Sequence, residues 1–202
     1  MTAGHRSGRP VPLRLLAGQA PQVAPQLLNK VLVVGACRAR IVEVEAYTAD
    51  DPASHSFRGP TARNAVMFGR AGRLYVYFTY GMHHCANVVT GPQGDGQAVL
   101  LRAAAPLAGL DLMAQRRGRT STGVELANGP GKLCQAFGLD RTWDGATLGR
   151  DGVALVDDGV PPPVDPVVTT RVGIRHGVER PWRWCVPGDA HVSRGRPSGA
   201  GR

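Results

Sequence analysis

Between residues 40 and 47 apolar and polar positions alternate strictly. Val42, Val44 and Ala46 fall on one side of an extended chain, and Glu43, Glu45 and Tyr47 on the other. A period of two predicts a β-strand with one face on a core. Residues 31–35 form a short apolar run. Residues 73–80, RLYVYFTY, are rich in strand formers and end at Gly81. Residues 85–90 and 97–103 predict two further strands with GPQGDG, residues 91–96, as the turn between them. Short connections of this kind predict an antiparallel sheet. Later strands are expected over 153–156, 167–174 and 182–186.

Helical spacing is rarer. Residues 22–30 predict a short helix despite Pro25. Leu107, Leu110, Met113 and Ala114 recur at helical intervals, with Arg116 and Arg117 at the C-terminal end. Residues 130–137 start on a proline and stop one residue before Gly138, the usual punctuation of a helix. Strands and helices follow in mixed order rather than in strand–helix–strand alternation, so the expected class is α+β. A Pro-, Gly- and Asp-rich loop is expected from about 48 to 61.

Length adds that the 202 residues make one domain, not two. We place the domain at 13–193, with disordered basic tails at 1–12 and 194–202, where Arg, Gly and Ser dominate. The C-terminal tail reads as a nonspecific phosphate binder or as a tail only. A formal net charge of +9 points to an anionic partner, of which nucleic acid is the commonest large one. Cys37, Cys85, Cys134 and Cys185 are far apart, without a CxxC pair, and read as small buried hydrophobes rather than a disulfide framework. His83 and His84 are adjacent and no partner cluster follows, so no metal site is expected. No apolar run reaches membrane-spanning length and the N-terminus does not read as a signal peptide, so the expected location is cytoplasmic.

The candidate chemistry lies on the face carrying Glu43, Glu45 and Tyr47. His55 follows in a loop, and Tyr75 and Tyr77 share one face of the next clear strand. A base lifted out of a duplex needs flat side chains around it and a few polar groups at its edges. Hydrolysing its bond to the sugar needs a carboxylate to activate water. The same residue types would also serve a carbohydrate pocket, or lie on a solvated strand face.

Six segments in order carry a resemblance: IVEVEAY (41–47), PTARNAVMF (60–68), LYVYFTYGM (74–82), residues 85–87, VLLRA (99–103) and GPGKLCQA (129–136). In this order and spacing the chain resembles the alkyladenine (3-methyladenine) DNA glycosylase family from about residue 13 to 193. The resemblance implies one compact α+β domain around a curved antiparallel β-sheet, like the C-terminal domain of methionyl-tRNA formyltransferase, with no cofactor. It implies monofunctional hydrolysis of damaged purines from double-stranded DNA by a monomer associated with the nucleoid.

Residue by residue, Glu45 matches the family's general base, and Arg102 the arginine that holds the attacking water beside it. Tyr47, His55 and Tyr77 match the aromatic pocket walls. Asn87 matches the residue that crowds the 2-amino group of guanine. Tyr80, before Gly81, matches the wedge that fills the gap left by the flipped nucleotide. Arg63, His83 and Lys132 are candidate contacts to the DNA backbone, Lys132 because it lies in the first turn of a helix. Arg63, Asn64 and Lys132 could equally be structural. The chain departs from the family at Val44, often Thr, at Ala62, commonly Pro, and at the pair His83 and His84, where some members have aromatics. No lysine stands in the proposed pocket motifs, which argues against a Schiff-base lyase. The competing readings are a binding module for damaged DNA or RNA on the same scaffold, and a hydrolase of nucleosides or sugars outside DNA.

Overall fold

The computed structural model describes residues 8–79, 81–118 and 123–199. In chain order they form β1 (Arg9–Pro10), α1 (Leu13–Leu16), α2 (Ala20–Leu27), β2 (Val31–Val34), β3 (Cys37–Tyr47), β4 (Leu74–Thr79), β5 (His83–Thr90) and β6 (Gln97–Ala108). There follow α3 (Leu110–Arg116), α4 (Pro130–Phe137), β7 (Val153–Asp157), β8 (Val167–Thr169) and β9 (Arg183–Cys185). Among the described residues these nine strands make one curled antiparallel sheet in the order β1-β7-β2-β3-β6-β5-β4, and β9 pairs with both β3 and β8. The first half of β3 pairs with β2 and its second half with β9, so its far edge changes partner midway. The expected α+β class, a single domain around a curved antiparallel sheet, is what forms.

Alternation sorts the sheet into two faces. Val44 and Ala46 of β3, Leu74 and Val76 of β4, Ala86 and Val88 of β5, and Val99 and Leu101 of β6 all enter the main core. Helices α2, α3 and α4 cover that side with Leu27, Met113, Leu133 and Phe137. The intervening residues of the same strands face the other way and build the site described below. Gly138 stops α4 in a left-handed conformation (φ 69°), its N–H returning to the carbonyl of Cys134.

The structure departs from the sequence expectations at several places. The first long helix ends at Leu27 instead of running to residue 30, because Asn29 takes φ 64° and the chain turns into β2. Leu107 is not part of a helical stripe. It lies on β6, 45% exposed, and α3 begins only after Gly109, whose φ of 75° separates strand from helix. A Cβ at Gly109 would stand 2.7 Å from the Ala36 carbonyl oxygen, so the crossing tolerates no side chain. The stretch 167–174 is a strand only to Thr169, after which it leaves the sheet.

The tail boundaries also differ. Arg9 and Pro10 pair with Asp157 and Val156, and Val11 is buried. Residues 193–198 lie against the site instead of standing away from it. All four cysteines are buried as free thiols. Among the described residues no helix is long and apolar enough to cross a membrane, and no group of three or more His, Cys, Asp or Glu is placed to hold a metal ion.

Candidate active site

Opposite the main core, the register sets one row of residues across three strand pairings: Glu45 faces Leu100, Leu100 faces Asn87, and Asn87 faces Tyr75. The next pair of β4 and β5 on this same face is Tyr77 with Cys85. Above this row opens a cleft of about 220 Å³, lined by Tyr47, His55, Tyr75, Tyr77, Asn87 and Arg102 among others. That is below the ~300–1,000 Å³ of pockets that take drug-sized ligands, and suits something nearer one base.

Arg102 reaches the cleft floor through an irregularity. Between the pairs Glu43–Ala103 and Val44–Leu101, β6 carries one more residue than β3, and that residue is Arg102. Between Ile41–Ala104 and Glu43–Ala103 the extra residue is Val42 on β3. Paired bulges re-aim side chains in this way. As a result Arg102 meets both carboxylates: its Nε lies 2.7 Å from Glu43 Oε1 and an Nη 3.2 Å from Glu45 Oε1. Arg183 adds a second cation, Nε to Glu43 Oε1 at 2.7 Å.

Glu45 has no exposed surface. Its Oε1 also accepts the backbone N–H of Val172 at 2.7 Å, and its Oε2 accepts the Tyr47 hydroxyl at 2.8 Å. An arginine and two further donors thus converge on the one buried carboxylate. Two carboxylates and two guanidinium groups make the cluster neutral as a whole. Burial by itself would favour deprotonating Arg102, but Glu45 and Glu43 outweigh it and hold the guanidinium pKa above its ordinary value.

For Glu43, burial pushes the pKa up, while Arg102, Arg183 and the Ser193 amide outweigh that and hold it below the ordinary 4.5. A carboxyl with a depressed folded pKa contributes stability above its unfolded value and loses it as pH falls through the folded one. We therefore expect the thermal midpoint to drop on acidification below pH 4.5. In Glu43→Gln that acid slope should be shallower, as read by melting curves at stepped pH. Equal slopes would mean that Glu43 does not titrate in this range.

The aromatic side is continuous. Tyr75 and Tyr77 stack with centroids 5.4 Å apart and planes at 29°, and His55 meets the Tyr77 ring edge-on at 4.4 Å. His55 Nδ1 lies 2.9 Å from the Tyr75 hydroxyl. Burial, and then the charge of Arg63, lower the His55 pKa, so the imidazole is neutral at neutral pH. Burial pushes the Tyr75 phenol up to about 12, and burial followed by Glu45 raises Tyr47 well above its ordinary value. The phenols are therefore donors. The guanidinium of Arg171 backs the Tyr47 ring at 4.6 Å from its centroid. Asn87 is buried, its amide donating to the Tyr75 carbonyl at 3.0 Å.

The structure thus brings Arg102, Tyr47, His55, Tyr77 and Asn87 to one cleft, with Glu45 buried behind its wall against Arg102 and Tyr47. The other candidates lie outside it. Arg63 is exposed and donates to the Phe78 carbonyl at 3.1 Å. His83 is exposed on β5, packed beside Gly131 of α4. Lys132 is held by Asn128 Oδ1 at 2.8 Å. Asn64 is buried and buttresses the His55 loop, donating to the carbonyls of His55 and Gly59. Tyr80 falls outside the described residues. Gly81 after it has φ 66°, the backbone that a tight turn requires.

Sequence reasoning gave no role to Glu43, Arg183, Ser193, Val172, or the buried pair Arg171 and Asp51. Lone arginines inside apolar stretches, VVTTRVGI and WRWC, were the available signal.

A sheet that seats a buried carboxylate–arginine pair under an aromatic cleft has the constitution of a hydrolase for a flat ligand, and the similarities narrow that class. The family model described as methylpurine-DNA glycosylase matches residues 14–190. A protein of Burkholderia cenocepacia (strain HI2424), assigned by name as a 3-methyladenine DNA glycosylase, is 51% identical over 200 residues, covering 97% of each chain. A protein of Methanoculleus marisnigri with the same assignment is 54% identical over 159 residues, 77% of this chain and 82% of its own. One of Frankia casuarinae is 46% identical over 187 residues, 87% and 88% respectively. The chain belongs to the methylpurine-DNA glycosylase family, and it is a DNA repair enzyme that hydrolyses N-glycosyl bonds.

Proposed function

We propose that the enzyme takes alkylated or deaminated purines, such as 3-methyladenine, 7-methylguanine, hypoxanthine and ethenoadenine, out of duplex DNA into this cleft and leaves an abasic site. The observation that carries the reading is Glu45, fully buried directly behind an aromatic-lined cleft and held by three groups of residues that line it, the Arg102 guanidinium, the Tyr47 hydroxyl and the Val172 amide. Glu45 takes a proton from a water held against it and Arg102. The water oxygen bonds to the anomeric carbon, and the glycosidic bond breaks with its electron pair going to the departing base. A cationic alkylpurine leaves as a neutral molecule. Hypoxanthine or ethenoadenine needs a proton as it leaves. Tyr47, His55 and Tyr77 favour flat, electron-poor bases by stacking, and Asn87 crowds a normal guanine. Tyr80 fills the vacated stack, and Arg63, His83 and Lys132 face the phosphates.

The test is single-turnover excision from duplexes carrying one hypoxanthine or ethenoadenine, followed by alkali to cut abasic sites, then freshly alkylated DNA. After treatment with wild type, alkali should cut at the lesion far above the enzyme-free control. Tight lesion binding with no base release from any of these substrates would instead make the chain a damage-binding module on this scaffold.

A further inference from the structure

The segment 193–198 joins the last residue of the expected domain to the expected basic tail that begins at residue 194. It lies past the span matched by the family model, which ends at residue 190. Its side chains alternate. Arg194 and Arg196 are exposed, while Ser193, Gly195 and Pro197 turn inward. They turn toward the charged cluster under the cleft and the Val172 stretch beside it.

Ser193 touches the cluster first. Its backbone N–H donates to Glu43 Oε2 at 2.7 Å and its hydroxyl to Glu43 Oε1 at 2.9 Å, while Arg102 Nη2 lies 3.4 Å from the same hydroxyl. Gly195 follows. A Cβ there would stand 2.7 Å from Val172 Cγ1 and 3.4 Å from Arg102 Nη2, so the backbone runs directly over both. Pro197 then forms an antiparallel bridge with Val172. Ser198 makes three bonds to the same stretch: its N–H to the Arg171 carbonyl (2.7 Å), its carbonyl from the Thr170 hydroxyl (2.6 Å) and its Oγ from the Ile174 N–H (3.1 Å).

These contacts explain why residues 170–174 can leave the sheet after β8. Backbone groups that leave a ladder near a protein interior need new partners, and residues 197–198 supply them on both sides of Val172. The Val172 N–H is left to point at Glu45 Oε1. We propose that residues 193–198 are a positioning strap of the catalytic centre. At one end the strap fixes Glu43 against Arg102, and at the other it presses Val172 onto Glu45. The strap itself does not line the cleft, but Val172 does, so it is the Ser193–Glu43 end that bears on the chemical step apart from lesion recognition. This inference rests on the catalytic assignment of Glu45 and Arg102 made above.

The test separates rate from binding. Gly195→Val needs no strained backbone, since the position is not left-handed, but its side chain must displace Val172. Misplacing a catalytic group by about 1 Å can cost about 100-fold, so saturating single-turnover excision should fall by about 10- to 100-fold. The Kd for a hypoxanthine duplex should stay at the wild-type value in the Ser193 variants below, whereas Gly195→Val moves a cleft-lining residue and is read for its saturating rate. Ser193→Ala removes only the hydroxyl contacts and should also lower the rate, while Ser193→Thr, which keeps the hydroxyl, restores it. If Gly195→Val fails to melt cooperatively, the Ser193 pair decides alone. Replacing Arg194 and Arg196 together by alanine should leave the saturating rate unchanged. Wild-type rates in Gly195→Val and Ser193→Ala would overturn the proposal. So would a loss confined to Kd and reproduced by the double arginine variant, which would make the segment a DNA-binding arm. If wild type releases no base, or Glu45→Gln releases it as fast, the catalytic assignment fails and the strap falls with it.

Discussion

Glu45→Gln is expected to lower single-turnover excision by about 10²–10⁴-fold, the range a positioned general base contributes, with the fold intact. The environment explains why the substitution tolerates burial. A glutamine carbonyl can still accept the Val172 N–H, and its amide can donate to the Tyr47 oxygen, because a phenol both accepts and donates. Arg102 keeps its contact with Glu43 Oε1. What changes is charge. The neutral cluster of two carboxylates and two arginines gains one positive charge at the cleft floor. A neutral lesion such as hypoxanthine should therefore bind Glu45→Gln as tightly as wild type, whereas a cationic 7-methylguanine should bind more weakly. Excision assays paired with binding titrations on both lesions check this. Full activity in Glu45→Gln would assign the base elsewhere, with Glu43, which shares Arg102 with it, the next candidate.

How legible this was in the sequence depends on whether the signal was local. The helix Pro130–Phe137 was read with its final boundaries because its proline and glycine sit at its ends. The faces of β4 were readable because Leu74 and Val76 alternate with Tyr75 and Tyr77, and the structure keeps that alternation. The same rule was incomplete on β3. The pattern puts Val42 in simple alternation with Glu43, but Val42 is the extra residue of a bulge, and a bulge leaves no periodic trace. The pocket residues were legible through motif resemblance, and the structure gathers Tyr47, His55, Tyr77, Asn87 and Arg102 around one cleft with Glu45 behind it. What supports them was not legible. Glu43 finds its cations 59 and 140 positions away, at Arg102 and Arg183. The strap residues look like any Arg- and Gly-rich end, and only the fold shows that Ser193 meets a buried carboxylate while Gly195 and Pro197 meet Val172 beside it.

Arg171 and Asp51 are the other support invisible in sequence, 120 positions apart and both without exposed surface. Arg171 binds Asp51 through both terminal nitrogens and donates to the carbonyls of Ala46 (3.0 Å) and Gly177 (3.1 Å). It thereby ties the end of β3, the loop that leads to His55 and the 171–177 segment into one unit behind Tyr47. Arg171→Met should destabilise the protein by about 3–5 kcal/mol, the usual cost of leaving one member of a buried ion pair uncompensated. Urea unfolding measures it directly. Arg171→Lys should recover little, because a single ammonium group cannot bridge Asp51 while reaching both carbonyls. Arg171→Met combined with Asp51→Leu should recover a large part of the stability, since no charge is then stranded. It should not recover the excision rate, because Tyr47 has still lost the guanidinium behind its ring and the 171–177 segment its anchor. Arg171→Met as stable as wild type would show that water reaches the pair. A double variant restored in both stability and rate would show that the pair only fills space, and that the pocket wall holds its position without it.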